Sequence, residues 1–235
     1  CARGPPPGVR SMSRPARPRG RLIVVTGTGT GVGKTHVATA LVTAWGRRLP
    51  VAGIKPIESG GDGDVRELER ASTFRAPPRP PYLLREAVSP HLAARLEGRA
   101  IDLELVREWI GSVQEAAPAT VLELPGGLFT PLTDEATNAD LIRLLDAPIV
   151  LLVAPDRLGV LHDVIAVVHA VRAHVTVRGV ILSAPAEPDR STGTNARELN
   201  RRSALPRVLA TLPRGSHEEA ALELERVLPT LLRAP

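Results

Sequence analysis

Lysine is almost missing from this chain. Of its 30 lysine and arginine residues, only Lys34 and Lys55 are lysine. Lysine is a compact, flexible point charge with three donors, which arginine does not imitate. Two lysines in a chain that otherwise uses arginine mark positions where that difference counts. Cysteine is confined to Cys1, which excludes an internal disulfide and a cysteine-based metal site. No apolar run approaches the ~20 residues of a membrane helix. The longest, residues 147–155, has the length of a strand. No internal repeat is evident.

Acidic residues are absent from residues 1–21, which hold six arginines: Arg3, Arg10, Arg14, Arg17, Arg19 and Arg21. Subtracting these six from the formal charge of +5 leaves about −1 for the rest. The basic excess thus belongs to a Pro/Gly/Arg tail, residues 1–20, too poor in apolar residues to fold. The tail also lacks the apolar centre of a secretory signal. The expectations are a disordered basic tail, no nucleic-acid partner, no membrane and a cytoplasmic setting.

The remainder, residues 21–235, has the composition of one α/β domain: the chain of 235 residues is 43% hydrophobic and 23% charged. Strand-like segments at 21–27, 51–57, 120–124, 147–155, 177–185 and 207–213 alternate with helix-like ones. The latter are 33–49, 64–72, 89–98, 102–117, 138–146, 159–174 and 217–232. Proline-rich residues 76–84 read as an extended linker, Asn138 reads as a helix cap, and residues after 185 read as a loop. Apolar strands alternating with helices predict a parallel sheet covered on both faces. Ligands of such sheets sit at the carboxyl ends of the strands.

The stretch Gly27-Thr28-Gly29-Thr30-Gly31-Val32-Gly33-Lys34-Thr35-His36 lies at such an end and runs into a helix. Small residues let backbone N–H groups turn inward around an anion, and the helix N-terminus adds partial positive charge. Lys34 would reach the β- and γ-phosphates of a nucleotide, and the Thr35 hydroxyl would bind Mg²⁺. The strict phosphate-loop spacing asks for glycine at Thr28, and the dinucleotide pattern fails at Val32. The strand–loop–helix context carries the reading. His36, one turn into the helix, reads as a solvated or packing residue.

Lys55 closes the second strand, and Ser59 and Asp64 follow in a glycine-rich loop. A lysine there can stabilise charge that develops during phosphoryl transfer. Asp64 taken alone suits a helix N-cap. Glu123 ends a hydrophobic strand, as does the acid that helps hold Mg²⁺ in phosphate-loop enzymes. A carboxylate there is costly unless paired or metal-bound. The alternative is an edge strand with Glu123 facing water.

In order, "GTGTGVGKT", "GIKPIESG", "SPHLAARLEGRAI", "ELPGGLFTPLTD" and "NADLIRLLDAPIVLLV" resemble the dethiobiotin synthetase family over roughly residues 21–215. The resemblance implies a P-loop NTPase-like parallel sheet with helices on both faces, in one domain. It implies a homodimer with sites at the interface. It further implies an ATP- and Mg²⁺-dependent cyclo-ligase that makes dethiobiotin from 7,8-diaminononanoate and CO₂. On this resemblance Thr30, Gly31, Val32, Gly33, Lys34, Thr35 and His36 wrap the triphosphate. Leu124, Pro125, Gly126, Ser183 and Pro213 complete the nucleotide site. Lys34 and Lys55 flank the transferred phosphoryl group and the carbamate. Thr35, Asp64 and Glu123 hold Mg²⁺. Ser59 contacts the diamine, Ser89 and Pro90 support it together with His91, and Gly159 and Val160 bind the substrate carboxylate across the dimer.

Some positions depart from the family pattern. Its E-G-A-G-G is here Glu123-Leu124-Pro125-Gly126-Gly127, and proline removes one backbone donor. The Asn of its G-x-I-N-H helix start is His162. The Asn that commonly reads adenine is Ser183, which cannot make a two-point amide contact. Gly29 stands where a polar residue is frequent. Three other readings compete. An amidoligase-like synthetase would need a nucleophilic cysteine, and none follows position 1. A partition-type ATPase switch carries an extra lysine early in the loop, where this chain has Thr28-Gly29-Thr30. The third is a degenerate nucleotide-binding relative without turnover.

Overall fold

Leu22, Ile23, Val24 and Val25 are all buried, yet alternate residues enter different cores. A strand sends successive side chains to opposite faces, so this run belongs to a sheet covered on both sides. In the computed structural model, which describes residues 19–75 and 79–233, it forms β1 (Arg21–Gly27). The main sheet also contains β2 (Val51–Ile54), β5 (Ala119–Glu123), β6 (Ile149–Pro155), β7 (Val177–Ser183) and β8 (Val208–Leu212). Its order is β2-β5-β1-β6-β7-β8, and every pairing is parallel. A second, two-stranded parallel sheet joins β3 (Ile57–Ser59) to β4 (Tyr82–Leu84).

On one face, α1 (Lys34–Gly46) and α8 (His217–Leu231) bury Val37, Leu41, Trp45, Leu224 and Leu228 against Ile23, Val25 and Val121. α2 (Gly63–Ala71) adds Leu68 to that core. On the other face, α3 (Pro90–Leu96), α4 (Leu103–Ala116) and α5 (Asn138–Arg143) cover Leu22, Val24 and Leu122. α6 (Val160–Val171) and α7 (Asn195–Asn200) close a third cluster around Leu152, Val180 and Leu182. This is the α/β, P-loop NTPase-like arrangement that the alternating pattern and the resemblance predict. Among the described residues no helix is long and apolar enough to cross a membrane.

Four local readings of the sequence are corrected. The strand expected over 51–57 breaks at Lys55-Pro56, because proline cannot donate to the ladder and Pro56 instead accepts from the Tyr82 N–H (3.1 Å). Within the expected linker, residues 82–84 are the strand β4; residues 76–78 lie outside the described residues. The segment after β7 contains the short helix α7 rather than loop alone. The cap of α5 is Thr137, whose backbone N–H donates to the Asp140 carboxylate (2.8 Å); Asn138 is the first helical residue. Of the expected tail, residues 1–18 lie outside the described residues. Gly20 donates to the Gln114 carbonyl (2.7 Å), and Arg19 pairs with Glu115 and Asp146.

Candidate active site

Parallel pairing sets the site. Val25 of β1 stands beside Glu123 of β5, and Ile54 of β2 stands beside Leu122. One residue further on, β2 delivers Lys55 next to Glu123, and β1 runs into the glycine loop. The loop enters α1 through Gly33, whose φ of +91° lies in the left-handed region where a side chain is strained. A Cβ at Gly33 would also collide with Ser183. Lys34 folds back over the loop and donates to the Gly29 carbonyl (3.0 Å). Burial pulls its pKa down to about 8, with Glu123 opposing and Lys55 assisting that shift.

Glu123 is 1% exposed and lies between two other strands, so the edge-strand alternative is overturned. Its Oε1 accepts from the Thr35 hydroxyl (3.1 Å) and from Lys55 Nζ (2.9 Å), while its buried Oε2 has no partner among the described residues. Lys55 also pairs with Asp64. Burial pushes the Glu123 carboxyl up, and Lys55 pulls it back. For Lys55, burial lowers the pKa, but Glu123 and Asp64 outweigh it and hold the ammonium above its ordinary range.

Asp64 does not cap α2. Asp62 is the cap residue, and the N–H groups of Asp64 and Val65 donate to the buried Glu58 carboxylate (3.0 and 2.9 Å). That leaves the Asp64 side chain free to face Lys55. Glu58 carries no signal of its own in the sequence, because Ser59 and Asp62 stand nearer to that helix as acceptors.

These groups line one cleft of about 810 Å³, which also exposes Thr30, Gly31, His36, Ser59, Ser89, Pro90, Pro125 and Gly126. The Ser59 hydroxyl is buried without a partner among the described residues. Ser89 Oγ lies 2.9 Å from His91 Nδ1. His36 is half-buried rather than solvated: its Nε2 lies 3.2 Å from the Pro213 carbonyl, and its ring is 5.1 Å from that of His217. Burial, and then the His217 charge, push its pKa down.

Other predicted residues stand apart from the cleft. Val32 and Leu124 are buried in the cores, so only their backbones remain available. Ser183 and Pro213 touch the loop and His36 from behind. Gly159 caps α6, and the Val160 side chain is fully buried. Neither lines this chain's own cleft.

A family model described as an AAA domain matches residues 21–219. The ATP-dependent dethiobiotin synthetase BioD of Anaeromyxobacter dehalogenans (strain 2CP-1 / ATCC BAA-258) is 40% identical over 190 residues, covering 77% of this chain and 85% of that one. The enzyme of the same name from Caulobacter vibrioides (strain NA1000 / CB15N) is 36% identical over 177 residues, covering 69% and 80%. Among solved structures, a plasmid partition protein from Borrelia burgdorferi bound to AMPPNP has a TM-score of 0.60 at 12% identity, covering 91% of this chain and 99% of that one. The signal recognition particle receptor FtsY from Elizabethkingia anophelis in complex with GDP has a TM-score of 0.55 at 14% identity, covering 93% and 67%. At such identities these two likenesses speak for the fold alone. The sequence likeness goes further, and the chain belongs to the ATP-dependent dethiobiotin synthetases.

Proposed function

We propose that this protein makes dethiobiotin from 7,8-diaminononanoate, CO₂ and ATP at the cleft between β1, β2 and β5. The carrying observation is that the chain's two lysines converge there with Thr35, Asp64 and Glu123. Phosphoryl transfer asks a protein mainly for positioning and for cations around the equatorial oxygens, and this set supplies both.

Mg²⁺ fits the donor set. The Thr35 hydroxyl and the Asp64 and Glu123 carboxylates are hard oxygen ligands, and Glu123 Oε2 is a buried acceptor with no partner. Held by these residues, the ion would supply positive charge against the triphosphate.

One substrate amine adds to CO₂ and loses a proton, giving a carbamate. A carbamate oxygen attacks the γ-phosphorus, and the bond to the ADP oxygen breaks. The second amine adds to the carbamoyl carbon, loses a proton and expels phosphate as the ring closes. Lys34 and the loop N–H groups orient the triphosphate, and Lys55 offsets charge on the carbamate and the moving phosphoryl group. The Ser59 hydroxyl, without a partner among the described residues, would hydrogen-bond the diamine. No covalent protein nucleophile enters the sequence of steps. Gly159 and Val160, apart from this cleft, fit the substrate carboxylate only if a second copy presents them, as a homodimer would.

Incubation with MgATP, bicarbonate and 7,8-diaminononanoate, followed by mass spectrometry, tests this reading. One ADP per dethiobiotin is expected. ATP binding without dethiobiotin would replace it with an ATPase switch or a retired enzyme.

The Lys34 pKa gives a second test. The protonated ammonium is the form that attracts phosphate, and in the empty site it loses its proton near pH 8. ATP affinity, measured by calorimetry, is therefore expected to be level below that pH and to weaken as pH rises through it. A profile that stays level well above pH 8 would detach Lys34 from the phosphates.

A further inference from the structure

Asn138 is fully buried, with 0% of its surface exposed. A polar side chain in a core is retained at a cost unless its hydrogen bonds are filled. Capping does not explain it, because Thr137 and Asp140 already serve the start of α5. Both amide hydrogens of Asn138 are spent on one turn: Nδ2 donates to the carbonyls of Pro125 (2.6 Å) and Gly127 (2.8 Å). In a planar trans peptide the N–H points opposite to the C=O. Drawing the Gly127 carbonyl inward sends the Leu128 N–H the other way, and it meets the Gly27 carbonyl at the root of the phosphate loop (2.8 Å). Drawing the Pro125 carbonyl inward likewise sends the Gly126 N–H outward, and Gly126 lines the cleft.

The turn is tight against the loop. A Cβ on Gly127 would come within 3.1 Å of the Gly29 backbone, and Gly126 has a φ of +62°. Gly29 in turn accepts from Lys34. Thr130 grips the same turn from its other side by accepting from the Gly127 N–H (2.7 Å).

We propose that Asn138 is a positioning residue for the nucleotide: it sets the 124–127 turn so that the Gly126 N–H faces the phosphates and the glycine loop keeps its shape. This deepens the proposed nucleotide site and rests on that reading. It also accounts for tolerance of Pro125, since the donor that matters in the turn belongs to the next residue.

The test is Asn138→Ala, with Thr130→Val as a second variant that loosens the same turn while keeping its shape. ADP affinity in the presence of Mg²⁺, the melting temperature, and KM for ATP and for 7,8-diaminononanoate are measured. ADP affinity is expected to fall on the order of tenfold to a hundredfold, as for supporting hydrogen bonds around a bound ion. KM for ATP is expected to rise while KM for the diamine holds. A lowered melting temperature with unchanged ADP affinity in both variants would reduce Asn138 to a core residue and overturn the proposal. If the wild type binds ADP but makes no dethiobiotin, the synthetase reading fails while the ADP comparison still decides the role of Asn138.

Discussion

Lys34→Met is expected to abolish turnover and yet to melt at a higher temperature than the wild type. The two effects share one cause. Lys34 is 6% exposed, and among the described residues its only hydrogen bond is to the Gly29 carbonyl. Burial holds its pKa near 8, below the ordinary value, so the unfolded chain keeps the proton more readily than the folded one. The empty protein therefore carries an electrostatic cost at every pH below about 8, and that cost fades as the folded-state ammonium deprotonates above it. Methionine keeps the volume and removes the charge, so stability rises at neutral pH, and the advantage over wild type shrinks toward alkaline pH. Turnover moves the other way. Removing one preorganised cation from a phosphoryl group costs on the order of 10²–10³ in rate, and in the proposed site the cation would also anchor the ground-state triphosphate. Thermal melts at several pH values and steady-state ADP release check both halves. Turnover within tenfold of wild type would take Lys34 out of the chemistry.

Much of this site was legible in the sequence because its parts break local rules. Gly33 and Lys34 interrupt a strand-to-helix transition with a left-handed glycine and a buried charge. Glu123 puts a carboxylate in an apolar strand. Lys55 is one of two lysines in an arginine-rich chain. Each is locally costly, and cost without local benefit points to a ligand. What escaped reading depends on distant partners. Nothing near Asp64 says that Glu58, six residues earlier, takes over the helix terminus. Nothing near Tyr82 says that Pro56 supplies its acceptor and turns a linker into a strand. Asn138 resembles a cap because Asn often caps, whereas the pairing of Thr137 with Asp140 is the stronger signal. Solvated and packed readings of His36 stay open in the sequence because Pro213 and His217, its neighbours, come from the far end of the chain.

Lys55→Met is expected to be as damaging to turnover as Lys34→Met but to act on stability with the opposite sign. Lys55 bonds both Glu123 and Asp64, and Glu123 is almost wholly buried. Taking away one partner of a buried ion pair leaves an uncompensated charge, a loss of about 3–5 kcal/mol. The melting temperature should fall, and Glu123 should take up a proton in the empty protein. Folding and chemistry separate in the double variant Lys55→Met/Glu123→Gln, which removes both charges at once. It is expected to recover most of the melting temperature, because a buried pair is worth little against neutral groups of similar shape. It is not expected to recover turnover, because phosphoryl transfer then lacks the lysine and one of the carboxylates assigned to Mg²⁺. Added Mg²⁺ with ADP should raise the melting temperature of the single variant more than that of the wild type, since the ion supplies the charge that Lys55 no longer does. A single variant that melts like the wild type would mean that Lys55 does not compensate Glu123. One that turns over normally would mean that the phosphoryl group is stabilised by other residues.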